Sequence, residues 1–451
     1  MEFKDRTKEV RDLLNKISSK QKQIIVIYGR RRIGKTALAL HIAKNEKFIY
    51  YLAGETQNLD KFYNTCAKKV PEILDLKKDY QILFKYLRNK VNLIIIDEFQ
   101  NLILEDREIL NIFQYIIDIL LQDSPLKLIL LGSSISLMTK NVLDHSSPLY
   151  ARKDVSLKLS PVKFYDLKAF FPNKSLEEII EIYGFSDGIP YYLNMIKGDF
   201  WDWLSTEFKS STSFLKDEID FIIRYEFKNA RRYKQILEAI AFGKTTPNAI
   251  ANHINLNTSQ ISKYLSQLIE IEFIHREIPI TDKIPSRNGR YFLKDNFLRF
   301  WFRYIYGNLS SLEEGILSID EIKTDYSDYL GHIFEKVAKQ FLIKMDLFKF
   351  SKIGRWWWKE NEIDLVAFSP TSKNDYLIEC KWKEKVNAKR IVKELAKKGQ
   401  LIRYPGKLHT KEHTFVVFAR SFSQKIEEFN EREVFCFDLK GMEKILWKNL
   451  V

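Results

Sequence analysis

At 451 residues with 45% hydrophobic content, the chain is too long for one core and predicts two to four domains. No apolar run approaches the ~18 residues of a bilayer-spanning helix, and the charged opening Met1 to Arg6 is no secretory leader, so a cytoplasmic protein without membrane contact is expected. A net charge of +14 admits a polyanion partner or merely a solvated basic surface, while three distant cysteines (Cys66, Cys380, Cys436) exclude a disulfide framework and cysteine metal knuckles.

The first informative element is an apolar strand at 24–28, followed by Gly29, Arg30, Arg31, Arg32, Ile33, Gly34, Lys35 and Thr36, then a helix opening at Ala37. Strand, G-x-x-x-x-G-K-T loop and helix is the order of a phosphate-binding loop. The glycines let backbone N–H groups and the helix N-terminus face phosphate oxygens. Lys35 is expected on the β- and γ-phosphates of ATP and the Thr36 hydroxyl on Mg²⁺. A strand at 48–53 follows, then one at 91–96 that ends in Asp97 and Glu98. Asp97 is expected to hold the metal through water and Glu98 to orient the attacking water. The next strand, 126–131, ends at Ser133 and Ser134, and Ser133 or Ser134 is a candidate sensor of the γ-phosphate. Helical patterns between these strands predict an α/β fold with a parallel sheet whose carboxyl edge carries the site.

The Gly-Arg-Arg-Arg-x-Gly-Lys-Thr loop, the stretch Ile96 to Gln100 and the Gly-Ser-Ser strand end resemble the largely archaeal P-loop ATPases of the AAA/STAND grouping. At Ser147 to Arg152 the family usually has Leu-Tyr-Gly-Arg, whereas Ala151 stands here in place of the glycine. The resemblance makes Arg152 a candidate for completing the site, in its own subunit or a neighbour's. It also places Pro190, in Asp187 to Leu193, near the base or ribose; a proline opening a helix explains that residue equally well. The ATPase core is expected over 1–160 and a helical lid over 161–225.

Residues 226–306 read as a winged helix: three short helices, the third over 258–269, then two strands whose connection carries Lys283, Arg287 and Arg290. The third helix would lie in a DNA major groove with the basic residues on phosphates, or the module would dock protein. The aromatic run 297–304 is expected in the core. Residues 307–330 read as a partly helical linker, with a helix opening at Gly331 and bearing Glu335.

The last domain, 331–451, has strand patterns at 362–368 and 376–382. Alternation puts Glu379 and Lys381 on one strand face and Glu362 and Asp364 on one face of the other. Paired as a hairpin, Asp364, Glu379 and Lys381 converge; two carboxylates chelate Mg²⁺, or Mn²⁺ as the alternative, and the lysine activates water. This order resembles the PD-(D/E)xK nuclease superfamily, with Glu335 as the helix-borne acid. Gly354 to Trp357 and Glu379 to Trp382 also resemble the domain of unknown function usually fused behind these ATPases. The Lys- and Arg-rich stretch 383–398 would track phosphates or simply be solvated. The three tryptophans 356–358 cannot all be buried easily if extended. The whole predicts an ATPase whose nucleotide state governs a DNA-directed, nucleolytic domain, or a nucleotide-gated protein-interaction switch or DNA-binding regulator that does not cut.

Overall fold

The computed structural model describes residues 4, 6–210, 212–227, 229–369, 374–403 and 412–448. The chain forms two bodies, residues 1–162 with 189–191 and residues 163–188 with 192–451.

The first body is built on a parallel sheet of β1 (Gln23–Tyr28), β2 (Phe48–Leu52), β3 (Leu93–Asp97), β4 (Lys127–Gly132) and β5 (Val155–Lys158), ordered β2-β3-β4-β1-β5. The central strands are buried along nearly their whole length, with apolar residues between the polar ends Gln23, Lys127 and Asp97, because both faces are covered. Ile24, Val26, Ile94, Ile96 and Leu128 face a core filled by Phe62, Phe84, Phe99 and Phe113. Helix Lys35–Ala43 packs against β3 and β4 and buries Leu38, Ala39 and Ile42. Helices separate consecutive strands, so every strand points the same way and the loops after β1, β3 and β4 share one edge.

The second body opens with the short 3-10 helix Phe164–Ala169, followed by helix Leu176–Ser186, which is begun by a reciprocal Ser175–Glu178 capping box. Helices Phe200–Lys209 and Glu218–Glu226 follow. Next come helices Ala230–Ala241, Pro247–His253 and Thr258–Glu270, and an antiparallel pair, β6 (Ile274–Glu277) and β7 (Arg290–Leu293). The aromatic run after β7 lies in the core as expected: Trp301 is fully buried and donates its indole N–H to the Leu215 carbonyl at 2.6 Å.

The expected linker differs. Ile319–Met345 is one 27-residue helix, so its start lies before Gly331 and the second half of 307–330 belongs to it. Ile322, Tyr326, Tyr329 and Leu330 follow helical spacing and are buried, which holds this polar-looking stretch on the body. The final sheet comprises β8 (Lys352–Trp358), β9 (Asn361–Phe368), β10 (Asn374–Lys381), β12 (Glu412–Ala419), β14 (Glu428–Phe429) and β15 (Arg432–Asp438), ordered β14-β15-β12-β10-β9-β8. Between β10 and β12 lie the short β11 (Val386–Asn387) and helix Ala388–Gly399, and β11 pairs with β13 (Phe422–Gln424). β8, β9 and β10 are antiparallel neighbours, whereas β10, β12 and β15 run parallel. Trp356 and Trp357 are buried, and Trp358 is 43% exposed.

Candidate functional site

The carboxyl edge of the parallel sheet gathers most of the residues expected around a nucleotide. Gly29 and Gly34 have φ of 153° and 92°. A Cβ on Gly29 would stand 2.5 Å from the Leu159 carbonyl oxygen, so the loop leaves β1 in a space only glycine fills. Arg32 also has a left-handed backbone, and its guanidinium lies 4.0 Å from the Tyr191 ring centroid. Arg6 braces the loop by donating to the carbonyls of Ile33 at 3.1 Å and Ser160 at 2.9 Å. The Lys35 ammonium donates to the carbonyls of Gly29 and Arg30, both at 2.9 Å. Ile33 is buried, Arg31 half-buried and Ala37 exposed. Pro190 opens helix Pro190–Met195, and its Cγ lies 3.7 Å from where a Gly34 Cβ would stand. That places Pro190 beside the loop.

Asp97 is buried, and its carboxylate is fully engaged. Oδ2 accepts from the Thr36 hydroxyl at 2.5 Å and the Tyr50 hydroxyl at 2.9 Å, while Oδ1 accepts from the Glu98 N–H at 2.9 Å. Burial, then Asp97, pushes the Tyr50 hydroxyl above its ordinary range and keeps it a donor. Direct contact between the P-loop threonine and the strand-end aspartate is the geometry of a shared Mg²⁺ ligand pair, so these oxygens fit that ion. Glu98 turns out of β3 with φ of 55°, a region glutamate rarely enters. Its carboxylate accepts from the Ser133 hydroxyl and the Gln100 amide, and Gln100 also reaches Ser133 at 3.4 Å. Glu98, Ser133 and Gln100 therefore form one polar cluster able to orient a water beside the phosphate loop.

Arg152 does not join them. Its Nε donates to both Asp118 oxygens, at 2.9 and 2.7 Å, and it also donates to the Pro148 carbonyl. Arg152 precedes β5, which is parallel to β1, and Asp154 closes on Ile24 near the start of β1. It thus lies at the amino edge, a strand length of roughly 20 Å from the loop after Tyr28. In its own chain Arg152 does not complete the nucleotide site.

The second body carries a separate set of charges. β9 and β10 pair antiparallel with Leu377 opposite Val366 and Ile378 opposite Leu365, where the ladder ends, and Asp364 and Glu379 are the next residues on the two strands. Between the pairs Gly354–Val366 and Trp356–Ile363, two residues of β9, Asp364 and Leu365, face Arg355 alone. This bulge re-aims Asp364, whose Oδ2 accepts from the Cys380 N–H at 2.8 Å. Burial first, then Glu379 and Glu335, pushes the Asp364 carboxyl up to about 7. Glu379 accepts from Lys381 at 2.7 Å, and Lys398 stands 3.6 Å away. Burial opposes the charge on Lys381, yet Glu379 and Asp364 hold its ammonium above the ordinary lysine range.

Glu335 stands near enough for its charge to push the Asp364 carboxyl up but is paired with other groups. Its carboxylate pairs with Arg355 at 3.5 Å and His332 at 3.2 Å. Among the described residues no group of three or more His, Cys, Asp or Glu is arranged to hold a metal ion. Among the described residues the expected three-acid cage of Glu335, Asp364 and Glu379 is therefore not formed, and Glu335 is paired with Arg355 instead. The Asp364–Glu379 pair does fit a cation: Glu379 Oε2 is buried without a hydrogen-bond partner, beside a carboxyl that resists ionisation.

In helix Thr258–Glu270, Ile261, Leu265 and Leu268 are buried and Ser259, Gln260, Ser262, Lys263 and Ser266 exposed. A cleft of ≈ 840 Å³ runs along that face, lined also by Phe227, Arg232 and Tyr233. Of the basic residues between β6 and β7, Lys283 and Arg287 are exposed. Arg290 is instead committed to Glu362 at 3.5 Å and to the Trp357 ring at 4.7 Å.

Tyr50, Gln100, Arg6, Arg355 and Lys398 acquire roles the sequence alone did not assign. Gln100 had a local signal, two residues beyond Glu98 in the Ile96 to Gln100 stretch. The others depend on strand order and long-range packing.

Comparison with known proteins bears on both bodies. Residues 3–196 match an ATPase domain predominantly from Archaea, and residues 301–391 match a region of archaeal and bacterial proteins of unknown function. An uncharacterized protein of Methanocaldococcus jannaschii is 47% identical over 445 residues, 97% of this chain and 99% of that protein. Among solved structures, a Walker-type ATPase of Pyrococcus abyssi is similar at a TM-score of 0.53 and 21% identity, over 67% of this chain and 96% of that one. The ORC2 protein of Aeropyrum pernix, in ADPNP–ADP complexes, is similar at a TM-score of 0.43 and 14% identity, over 71% and 96%. The first body thus has the α/β P-loop NTPase fold. No helix among the described residues is long and apolar enough to cross a membrane.

Proposed function

Over residues 3–196 the chain carries an ATPase domain of a family found predominantly in Archaea, and from that premise we propose that it is a Mg²⁺-dependent ATP hydrolase whose turnover governs a DNA-directed activity of its second body. The observation that carries the ATPase assignment is the Thr36–Asp97 contact at 2.5 Å, which joins the phosphate loop to the strand-end carboxylate. Lys35 and the N–H groups of residues 29–36 bind the β- and γ-phosphates, and Thr36 with Asp97 would hold Mg²⁺. The bound ion neutralises phosphate charge. Glu98 orients water for in-line attack, with Ser133 and Gln100 fixing its carboxylate. Lys35→Ala should abolish nucleotide binding. Glu98→Gln should keep binding and lose about 10²–10⁴-fold in turnover; normal hydrolysis by that variant would refute the role of Glu98.

The DNA-directed part rests on Asp364, Glu379 and Lys381 meeting on adjacent strands, behind a three-helix segment and hairpin laid out as a winged helix. Asp364 and Glu379 would hold a divalent cation, and Lys381 would position the attacking water. Purified protein should cut linear, circular or single-stranded DNA with Mg²⁺ or Mn²⁺ in an ATP-dependent manner, and Asp364→Ala and Lys381→Ala should both be inert. A second reading, a nucleotide-gated docking protein that does not cut, is favoured by the engagement of Glu335 with Arg355 and of Arg290 with Glu362. Absence of cleavage under every condition decides for it.

A further inference from the structure

The segment joining β6 to β7 packs on the edge of the last sheet. Ile280 is 4% exposed and belongs to the same core as Trp356, Ile363 and Val366. Its N–H donates to the Arg355 carbonyl at 2.9 Å, and its own carbonyl accepts from Lys352 at 2.7 Å. β8 is an edge strand, and the first of these bonds covers one of its open backbone carbonyls, while the second ties the Lys352 side-chain ammonium to the segment.

The same hairpin reaches the acid site through one guanidinium. Arg355 lies 3.9 Å from Glu277 on β6, contacts Glu362 on β9, and stands 3.5 Å from Glu335 on the long helix. Arg290 on β7 adds a second cation to Glu362 at 3.5 Å. Arg355 is also the residue facing the bulge that carries Asp364. Glu277 and Arg290 therefore help set where Arg355 sits, and Arg355 sets where Glu335 sits.

We propose that the β6–β7 segment is a strap that gates the Asp364–Glu379–Lys381 site. Seated, it seals the β8 edge and holds Arg355 against Glu335. Released, it opens that edge to a nucleic-acid strand and frees Arg355 to meet phosphate while Glu335 turns to the other two acids. Arg355 is then a positioning residue, acting through Glu335. The inference rests on the DNA-directed reading of this site and adds its regulation.

A reversible cross-link tests it in the full chain. A Cβ at position 354 would lie 3.7 Å from the Ile280 Cβ, close to the ~3.8 Å usual across a disulfide. Ile280→Cys with Gly354→Cys should close readily under glutathione disulfide and reopen with reductant. Binding of short duplex or single-stranded oligonucleotides, read by fluorescence anisotropy with Mg²⁺, should be at least about tenfold weaker in the oxidised form and recover on reduction. Oligonucleotide bound beforehand should slow closure by a similar factor, about tenfold. Equal affinity in both redox forms, or closure unaffected by bound DNA, overturns the strap while leaving the DNA-directed reading intact. Failure of the reduced form to bind any DNA refutes that reading itself, and the strap falls with it. Glu277→Gln keeps the apolar seat and loosens Arg355; it should bind at least about threefold more tightly than the parent. Unchanged affinity there refutes the link through Arg355.

Discussion

Replacing Asp364 by asparagine isolates the electrostatic cost of the C-terminal site. The aspartate is half-buried, bonds the Cys380 N–H at 2.8 Å, and is pushed by burial, Glu379 and Glu335 from 3.8 to about 7. At 1.36 kcal/mol per pH unit, ionising it in the folded protein costs about 4 kcal/mol relative to the unfolded chain. The folded state holds this proton more tightly, so the group costs nothing below about pH 4. Its penalty grows as pH rises toward 7 and is constant above. Asparagine keeps an amide oxygen for the Cys380 N–H and has no charge to bury. Differential scanning calorimetry of both proteins in EDTA should therefore give similar Tm values near pH 4. By about pH 8 the variant should be ahead by on the order of 5 °C. Mn²⁺ should narrow that gap by stabilising the charged aspartate of the parent. A difference that is constant over the range, or that shrinks as pH rises, would refute the placement of Asp364 among repelling acids.

Three further substitutions probe the nucleotide site. Gly29→Ala puts a Cβ 2.5 Å from the Leu159 carbonyl oxygen, so fluorescent-nucleotide titration should show at least about tenfold weaker binding, with ~1–3 kcal/mol of strain to relieve. Tyr50→Phe removes one donor from Asp97; the Mg²⁺ concentration for half-maximal ATPase should rise about tenfold while metal-free nucleotide binding stays level. Gln100→Leu frees the Glu98 carboxylate from its amide partner, and kcat should fall about 10–100-fold with KM nearly unchanged. An equal loss in ATP affinity would mean that Gln100 shapes the binding loop rather than the attacking water.

What the sequence discloses here is whatever is local. A strand, eight loop residues and a helix are contiguous, so Gly29 to Thr36 could be read directly, and Asp97 and Glu98 follow from a strand that ends in charge. Alternation likewise put Glu379 and Lys381 on one face before any partner strand was known. The helix Ile319–Met345 was hidden by composition: its first half is rich in acids and hydroxyls, and the buried Ile322, Tyr326 and Tyr329 stand out only by spacing. Arg152 shows the opposite limit. Its family motif is adjacent to a strand, but only the parallel pairing of β5 with β1 reveals that it lies at the amino edge, tied to Asp118.

Arg355 marks the deeper limit. In sequence it is one basic residue in a glycine–tryptophan stretch, with nothing periodic about it. In the fold, β9 through Glu362, a long helix through Glu335 and a hairpin more than 60 residues away in sequence through Glu277 each present a carboxylate to it. Three acids around one guanidinium is an arrangement that is strongly destabilised if the cation is lost, since each carboxylate is then left partly buried and repelled by the others. The acid site and the hairpin are thereby coupled through a shared charge, not a shared surface. That coupling makes the position of Glu335 depend on residues such as Glu277, which reach it only through Arg355.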